Sequence, residues 1–254
     1  MKLRVLGSSG AEFPGHRPPA FLLDTTVLLD AGTIGAVLSA EEQWKVREIL
    51  LTHAHLDHIR AIPFLADNII VRNKKHHVRI MSIPPVLGAL KKHLLNDTIW
   101  PDFTRIPSET APVLRLQPLR AGVPVEVNGY KVTPHLVNHS VPATGYVVED
   151  SRGRKLVYTG DSGPTDAIWK KTPGPIHCAI IEVSFPNRMR DMAVLTGHLT
   201  PYLMRLEIGK MRSQPDRVLI THPKPQYRER IIKEIEALGL PGITIMRDGE
   251  SFTI

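Results

Sequence analysis

Six positions constrain this chain more than any others. His53, His55, Asp57 and His58 fall within "LLTHAHLDHI", residues 50 to 59, directly behind an aliphatic run. The chain holds 12 histidines in 254 residues, so three within six positions is a strong local concentration. An apolar strand that runs into imidazoles and a carboxylate carries polar groups to the margin of a core. Left there without partners, each would cost roughly 2–7 kcal/mol. A metal ion removes that cost, because imidazole nitrogen and carboxylate oxygen are ligands for zinc, manganese or iron. His53 and His55, two apart in extended chain, project the same way and can share one ion. Asp57 and His58 fall on the following turn, where they can face a second. The plain alternative is a surface turn that is rich in histidine.

Three later stretches repeat the pattern of an apolar strand ending in a ligand residue. They are "HLVNHS" with His139, "LVYTGDSG" with Asp161 and "RVLITHP" with His222. Seven candidate ligands result: His53, His55, Asp57, His58, His139, Asp161 and His222. Asp161 suits a bridging role, since a carboxylate offers two oxygens and Gly160 lets the backbone turn tightly. His135 competes with His139 from the same segment. His16, His76, His77, His93 and His177 have no ligand neighbour in sequence and read as surface or structural residues. Cys178 is the sole cysteine, which excludes an internal disulfide and any cysteine-rich zinc module. In "HCAIIEV" it reads as a small, inert core residue.

Around these ligands the chain reads as one α/β domain, 1–254. Short strands are expected at 2–6, 20–24 and 26–30, with "DTT" turning the last pair into a hairpin. Ile34, Val37, Leu38 and Trp44 suggest a helix over 33–47. "EILL" and "VRIMSI" read as strands, "IRAIPFLADNI" and 84–95 as helices. Repeated short strands fill 112–158. Helices near 164–171, 200–212 and 226–239 then alternate with the strands "AIIEVS", "RVLIT" and "ITIM". Such an order suggests sheets covered on their outer faces by helices.

No apolar run approaches the roughly 18–20 residues that span a bilayer, and "MKLRVLGSSG" does not resemble a secretory signal. Together these point to a cytoplasmic protein without a membrane partner. The net charge of +7 and isoelectric point near 9.6 favour anionic partners, nucleotides and nucleic acids among them. The basic cluster "VRNKKHHVR", 71 to 79, reads as a solvated connection or as a phosphate-steering patch. No aromatic residues interleave with it to stack bases.

Taken in order, "LLDAG", the HxHxDH stretch, "NHS", "TGDS" and "LITHP" resemble the metallo-β-lactamase superfamily. The resemblance implies an αββα sandwich, two mixed sheets flanked by helices, with a dinuclear metal centre at the sheet edges. It implies that His53, His55 and His139 hold one ion and that Asp57, His58 and His222 hold the other, with Asp161 bridging. Zinc is the first expectation for both, manganese or iron the alternatives. Asp30 of "LLDAG" would support the ligands, though a turn residue before Ala-Gly is its simpler reading. True β-lactamases carry cysteine at the position of Asp161, so a lactam substrate is not expected.

"HAHLDHI", "WPDFT", "IIEVSFPN" and "GHLTP" further resemble the class II cyclic-nucleotide phosphodiesterases. In the related tRNA 3′-processing nucleases a Glu and a His work beside the metals, and Glu182 and His198 match them by position. This chain has "GHLT" rather than "GHST" and lacks a long inserted arm for gripping tRNA. The activity implied is hydrolysis of a small-molecule 3′,5′-cyclic nucleotide to a 5′-nucleotide by a metal-bridging hydroxide. Asp57 would orient that hydroxide and accept its proton. His198 would stabilise the phosphate or protonate the leaving oxygen, with Glu182 fixing its tautomer. "TGHLTP" also suits a helix start, with Thr200 as cap and Pro201 in the first turn. The alternatives are a tRNA 3′-end endonuclease, a cyclic-dinucleotide phosphodiesterase and, outside the enzymes, a metal-containing nucleic-acid-binding protein. By resemblance the protein would be a homodimer.

Overall fold

A computed structural model of the chain describes residues 1–72 and 76–254. The basic reading of 71–79 therefore falls partly, at 73–75, outside the described residues. In chain order the strands are β1 (Lys2–Gly7), β2 (Ala20–Leu23), β3 (Val27–Leu29), β4 (Glu48–Leu50), β5 (Val78–Ser82), β6 (Leu114–Pro118) and β7 (Val125–Val127). They continue as β8 (Tyr130–Leu136), β9 (Thr144–Glu149), β10 (Lys155–Tyr158), β11 (Cys178–Glu182), β12 (Arg217–Thr221), β13 (Ile243–Ile245) and β14 (Ser251–Thr253). Among the described residues they form two seven-stranded sheets, ordered β14-β1-β2-β3-β4-β5-β6 and β13-β12-β11-β10-β9-β8-β7. Both are mixed. β3 to β6 run parallel in the first, and β10 to β13 run parallel in the second.

Strand residues are apolar on both faces because both faces are covered. Leu156, Tyr158, Cys178 and Ile180 point between the sheets and meet Phe21, Leu23, Leu50 and Met81 of the opposite sheet. Their neighbours Val157, Ala179 and Ile181 point outward under the helices. On that side α5 (Ala167–Lys170), α7 (Pro201–Ile208) and α8 (Arg228–Glu236) contribute Trp169, Leu203, Met204, Ile231 and Ile235. On the first sheet, α3 (Ile62–Arg72) and α4 (Pro84–His93) set Ile62, Leu65, Ile69 and Leu90 on Leu28, Ile49 and Ile80. Each such side chain, fully buried, contributes about 1.5–3 kcal/mol. The result is the αββα sandwich with two mixed sheets. Among the described residues no helix is long and apolar enough to cross a membrane.

The helix expected over 33–47 is mostly absent. Residues 33–37 form turns, and α1 covers only Ala40–Gln43. Ser39 and Glu42 make a reciprocal capping box there, which starts a helix at Ala40 and prevents one running through from 33. A short helix α6 (Arg190–Thr196) and the edge strand β14 were not expected. Cys178 is buried in β11, where burial pushes its thiol up to about 12, so it is inert.

At the parallel halves the strands' carboxyl ends share one edge of the sandwich. Hydrogen bonds fasten the sheets together there, among them the Tyr146 hydroxyl donating to Leu51 O (2.7 Å) and Thr144 N donating to Thr52 O (3.0 Å). Farther out, the "WPDFT" segment folds around buried Asp102. Its carboxylate accepts from Lys91 of α4, from Arg105 Nε at 2.8 Å and from the Thr104 hydroxyl at 2.5 Å. Burial alone would raise the Asp102 carboxyl, but the hydrogen bonds from Lys91 and Thr104 outweigh it and hold it below the ordinary aspartate value. The ionised form is thus favoured by folding. Its contribution is complete above the unfolded value near 4 and is lost as pH falls through the depressed folded value. Asp102→Ala should lower stability at pH 7 by about 1–3 kcal/mol, as for other buried charged acceptors. Urea titrations at pH 7 and pH 3 should find the difference from the parent shrinking at the lower pH.

Candidate metal centre

Each of the seven candidate ligands lies just past a strand's carboxyl end, where backbone groups leave the hydrogen-bonded ladder and the chain is free to turn. His53 and His55 follow β4, His55 in extended conformation, and α2 (Leu56–Ile59) is the single helical turn that carries Asp57 and His58. His139 follows β8, Asp161 follows β10 and His222 follows β12. Their ligand atoms gather into two groups, His53, His55, His139 and Asp161 in one, Asp57, His58, Asp161 and His222 in the other, all within 4.8 Å of one another inside each group. Asp161 belongs to both. Its Oδ1 lies 3.4 Å from His58 Nε2, and its Oδ2 lies 3.2 Å from His222 Nε2 and 3.8 Å from His53 Nε2. Gly160 makes this possible: its φ is +61°, and a Cβ there would stand 2.7 Å from the Thr52 side chain. His135 is buried but joins neither group.

The donor chemistry fits divalent cations. Nε2 of His53 and of His58 is fully buried with no hydrogen-bond partner among the described residues. Such orphaned nitrogens are costly unless something accepts their lone pairs. The opposite ring nitrogen is engaged in four of the imidazoles, which fixes the tautomer. His58 Nδ1 donates to Asp30 Oδ2 (2.8 Å) and His139 Nδ1 to Gly197 O (2.8 Å). His53 Nδ1 meets the Thr52 hydroxyl at 3.0 Å, and His222 Nδ1 meets the Ser184 hydroxyl at 2.8 Å. In each case Nε2 faces the cluster, where that of His139 lies 3.2 Å from His55 Nδ1 and that of His222 lies 3.4 Å from Asp57 Oδ2.

Titration differs across the cluster. Burial, followed by repulsion from neighbouring imidazoles, holds His53 well below the ordinary histidine value and also lowers His55 and His139. That keeps their lone pairs available. Burial would depress His58 as well, but the Asp161 and Asp30 carboxylates outweigh it and raise it. Asp161 would be raised by its burial, yet His222 and His58 hold it well below the usual carboxylate range. Asp57 is lowered on balance too, through its hydrogen bond with His222 at 3.4 Å.

Two residues that the sequence pattern did not single out organise this centre. Thr52 donates to Asp30 (2.8 Å to Oδ2) while accepting from His53, so one carboxylate orients two imidazoles. Ser184 donates to Glu182 Oε2 (2.9 Å) and accepts from His222. The signal for Ser184 was the strand period: it lies two residues past Glu182, on the same face. Glu182 Oε1 in turn accepts from His198 Nδ1 at 2.7 Å. Burial would lower His198, and the Glu182 charge reverses this and raises it. Thr200 does cap α7, so His198 enters the site on a segment that also starts a helix.

Asp161→Ala should lose the cations of both groups, because each shares that carboxylate. Ser184→Ala should retain the fold and weaken only the group containing His222, by about 10–100-fold in metal affinity. Equilibrium dialysis followed by elemental analysis of the full chain would measure both.

A family model described as "Beta-lactamase superfamily domain" matches residues 25–222. The 3′,5′-cyclic-nucleotide phosphodiesterase 1 of Saccharomyces cerevisiae is 28% identical over 76% of this chain and 61% of its own length. The chain thus spans less than two thirds of that protein. The 3′,5′-cyclic-nucleotide phosphodiesterase of Aliivibrio fischeri is 27% identical over 81% of this chain and 73% of its own. The crystal structure of unliganded yeast PDE1 superposes with a TM-score of 0.83 at 18% identity, covering 98% of each chain, which speaks for the fold. With its matching span, its sandwich and its histidine and aspartate clusters, the chain belongs to the metallo-β-lactamase superfamily.

Proposed function

We propose that this protein is a two-metal phosphodiesterase that hydrolyses 3′,5′-cyclic nucleotides to 5′-nucleotides. The observation that carries the reading is Asp161 common to two ligand groups, beside a buried Glu182–His198 pair. The names of the yeast and Aliivibrio relatives support the substrate class.

The two cations, zinc by first preference, would be held by His53, His55, His139 and Asp161 and by Asp57, His58, Asp161 and His222; they would supply an acidified water and neutralise charge building on the phosphoryl oxygens. Asp57 has the most exposed carboxylate of the set, its side chain 32% accessible against 4% for Asp161. That position suits it to orient the nucleophile and accept its proton. His198 directs Nδ1–H at Glu182, which leaves Nε2 for the substrate. With the Glu182 charge favouring its protonated form, His198 can stabilise the phosphate or hand a proton to the departing 3′ oxygen. Ser184 holds Glu182 in place through its other oxygen.

The reading is tested by offering metal-loaded enzyme equal concentrations of 3′,5′-cyclic AMP, 3′,5′-cyclic GMP, a cyclic dinucleotide and a tRNA precursor, with products separated by chromatography. 5′-Mononucleotides from the cyclic mononucleotides are expected, and their formation should stop with a chelator. Cleavage of the precursor alone would replace this reading with tRNA 3′-end processing. His198→Ala should keep both cations and lose about 10²–10⁴ in kcat. An empty metal site in that variant would remove its proposed role.

A further inference from the structure

One cation beside the centre is held in place without a counter-charge. Lys224 lies two residues past His222, and its backbone N–H approaches Ser184 O at 3.4 Å. Its ammonium group donates to Gly10 O at 3.2 Å and stands 5.5 Å from the centre of the Phe185 ring. Both neighbours border the candidate site. Gly10 packs so tightly on His222 that a Cβ would stand 2.5 Å from the imidazole Nδ1, and Phe185 meets His198 edge-on with ring centres 5.8 Å apart. The Lys224 charge is also felt at His198, where it works against Glu182. Among the described residues, no carboxylate pairs with Lys224.

We propose that Lys224 is a substrate-positioning residue whose ammonium group contacts a non-bridging phosphate oxygen, on the His198 side of the site. The inference rests on the phosphodiester reading above. An ammonium group has three N–H donors, and the Gly10 carbonyl takes one. Two remain for an anion. Phe185 and the Gly10 carbonyl restrict the long side chain before substrate arrives, so less conformational freedom is lost when the contact forms. Such a contact is made equally to the diester and to the phosphomonoester product, so it acts on binding more than on the chemical step. A staple that only keeps the Gly10 loop against His222 would use the same geometry, and the two roles make different predictions.

The test uses the metal-loaded full chain as wild type, Lys224→Gln and Lys224→Arg. Affinity for inorganic phosphate is measured by calorimetry, and kcat and KM are measured on bis(p-nitrophenyl) phosphate. Metal content and Tm are read alongside. For Lys224→Gln we expect phosphate affinity to fall about tenfold or more and KM to rise comparably, the size expected of a charge-assisted hydrogen bond. Its kcat should change less than about threefold, with metal content intact. Lys224→Arg should recover most of the affinity. Unchanged phosphate affinity and KM in Lys224→Gln would overturn the proposal, as would a loss of metal and Tm that accounts for the whole effect. If the wild type hydrolyses no phosphodiester while Lys224→Gln still weakens phosphate binding, the phosphate contact stands and the phosphodiesterase reading falls.

Discussion

A single buried carboxylate does much to join the two sheets at the candidate centre. Asp30, fully buried, accepts from Thr52 N (2.7 Å), the Thr52 hydroxyl and His58 Nδ1 on the first sheet's side, and from the Tyr158 hydroxyl (2.7 Å) of the second sheet. A buried charge is tolerable only when its oxygens are fully engaged. Here the required donors are the groups that orient His53 and His58. Satisfying Asp30 and aiming the ligands are thus the same set of hydrogen bonds. The residue adopts a left-handed backbone, φ 56°, which lets β3 end abruptly and turns the carboxylate inward.

The second sheet supplies a comparable knot built on different chemistry. Glu182, the last residue of β11, and Ser184, two residues on, link His198 and His222 through one carboxylate and one hydroxyl. His222 itself is left-handed, φ 64°, a conformation that costs a non-glycine residue about 1–3 kcal/mol. Its backbone N–H donates to Ser8 O at 2.6 Å and its Nδ1 bonds Ser184, so the surroundings hold the strain in place. Strain of this kind is what places a side chain beside Asp57 and Asp161 rather than back along the strand direction.

Much of this was legible in the chain itself. The HxHxDH spacing and the candidate ligand residues after "HLVN", "LVYTG" and "RVLIT" are local patterns, and folding gathers those residues into two groups. Alternating elements suggested sheets covered by helices, and the resemblance to the metallo-β-lactamase superfamily supplied the αββα arrangement. The reading failed at 33–47, where helical spacing of Ile34, Val37, Leu38 and Trp44 was overridden by the capping box at Ser39. Ile34 and Leu38 are buried, and Val37 and Trp44 partly so, because turns and the short α1, rather than one long helix, deliver them to the first sheet's outer face.

Sequence by itself determined which side chains were available as ligands and that each stood at the end of an apolar strand, because strand period and residue type are local properties. Only the tertiary structure decided which of them meet. Selection of His139 over His135, the sharing of Asp161 by two groups and the engagement of one ring nitrogen in four of the histidines depend on contacts that folding makes, most of them between residues 28 to 165 apart. The roles of Thr52 and Lys224 were hidden for the same reason. The strand period places Ser184 on the face of Glu182, but its partner His222 is set beside it only by folding.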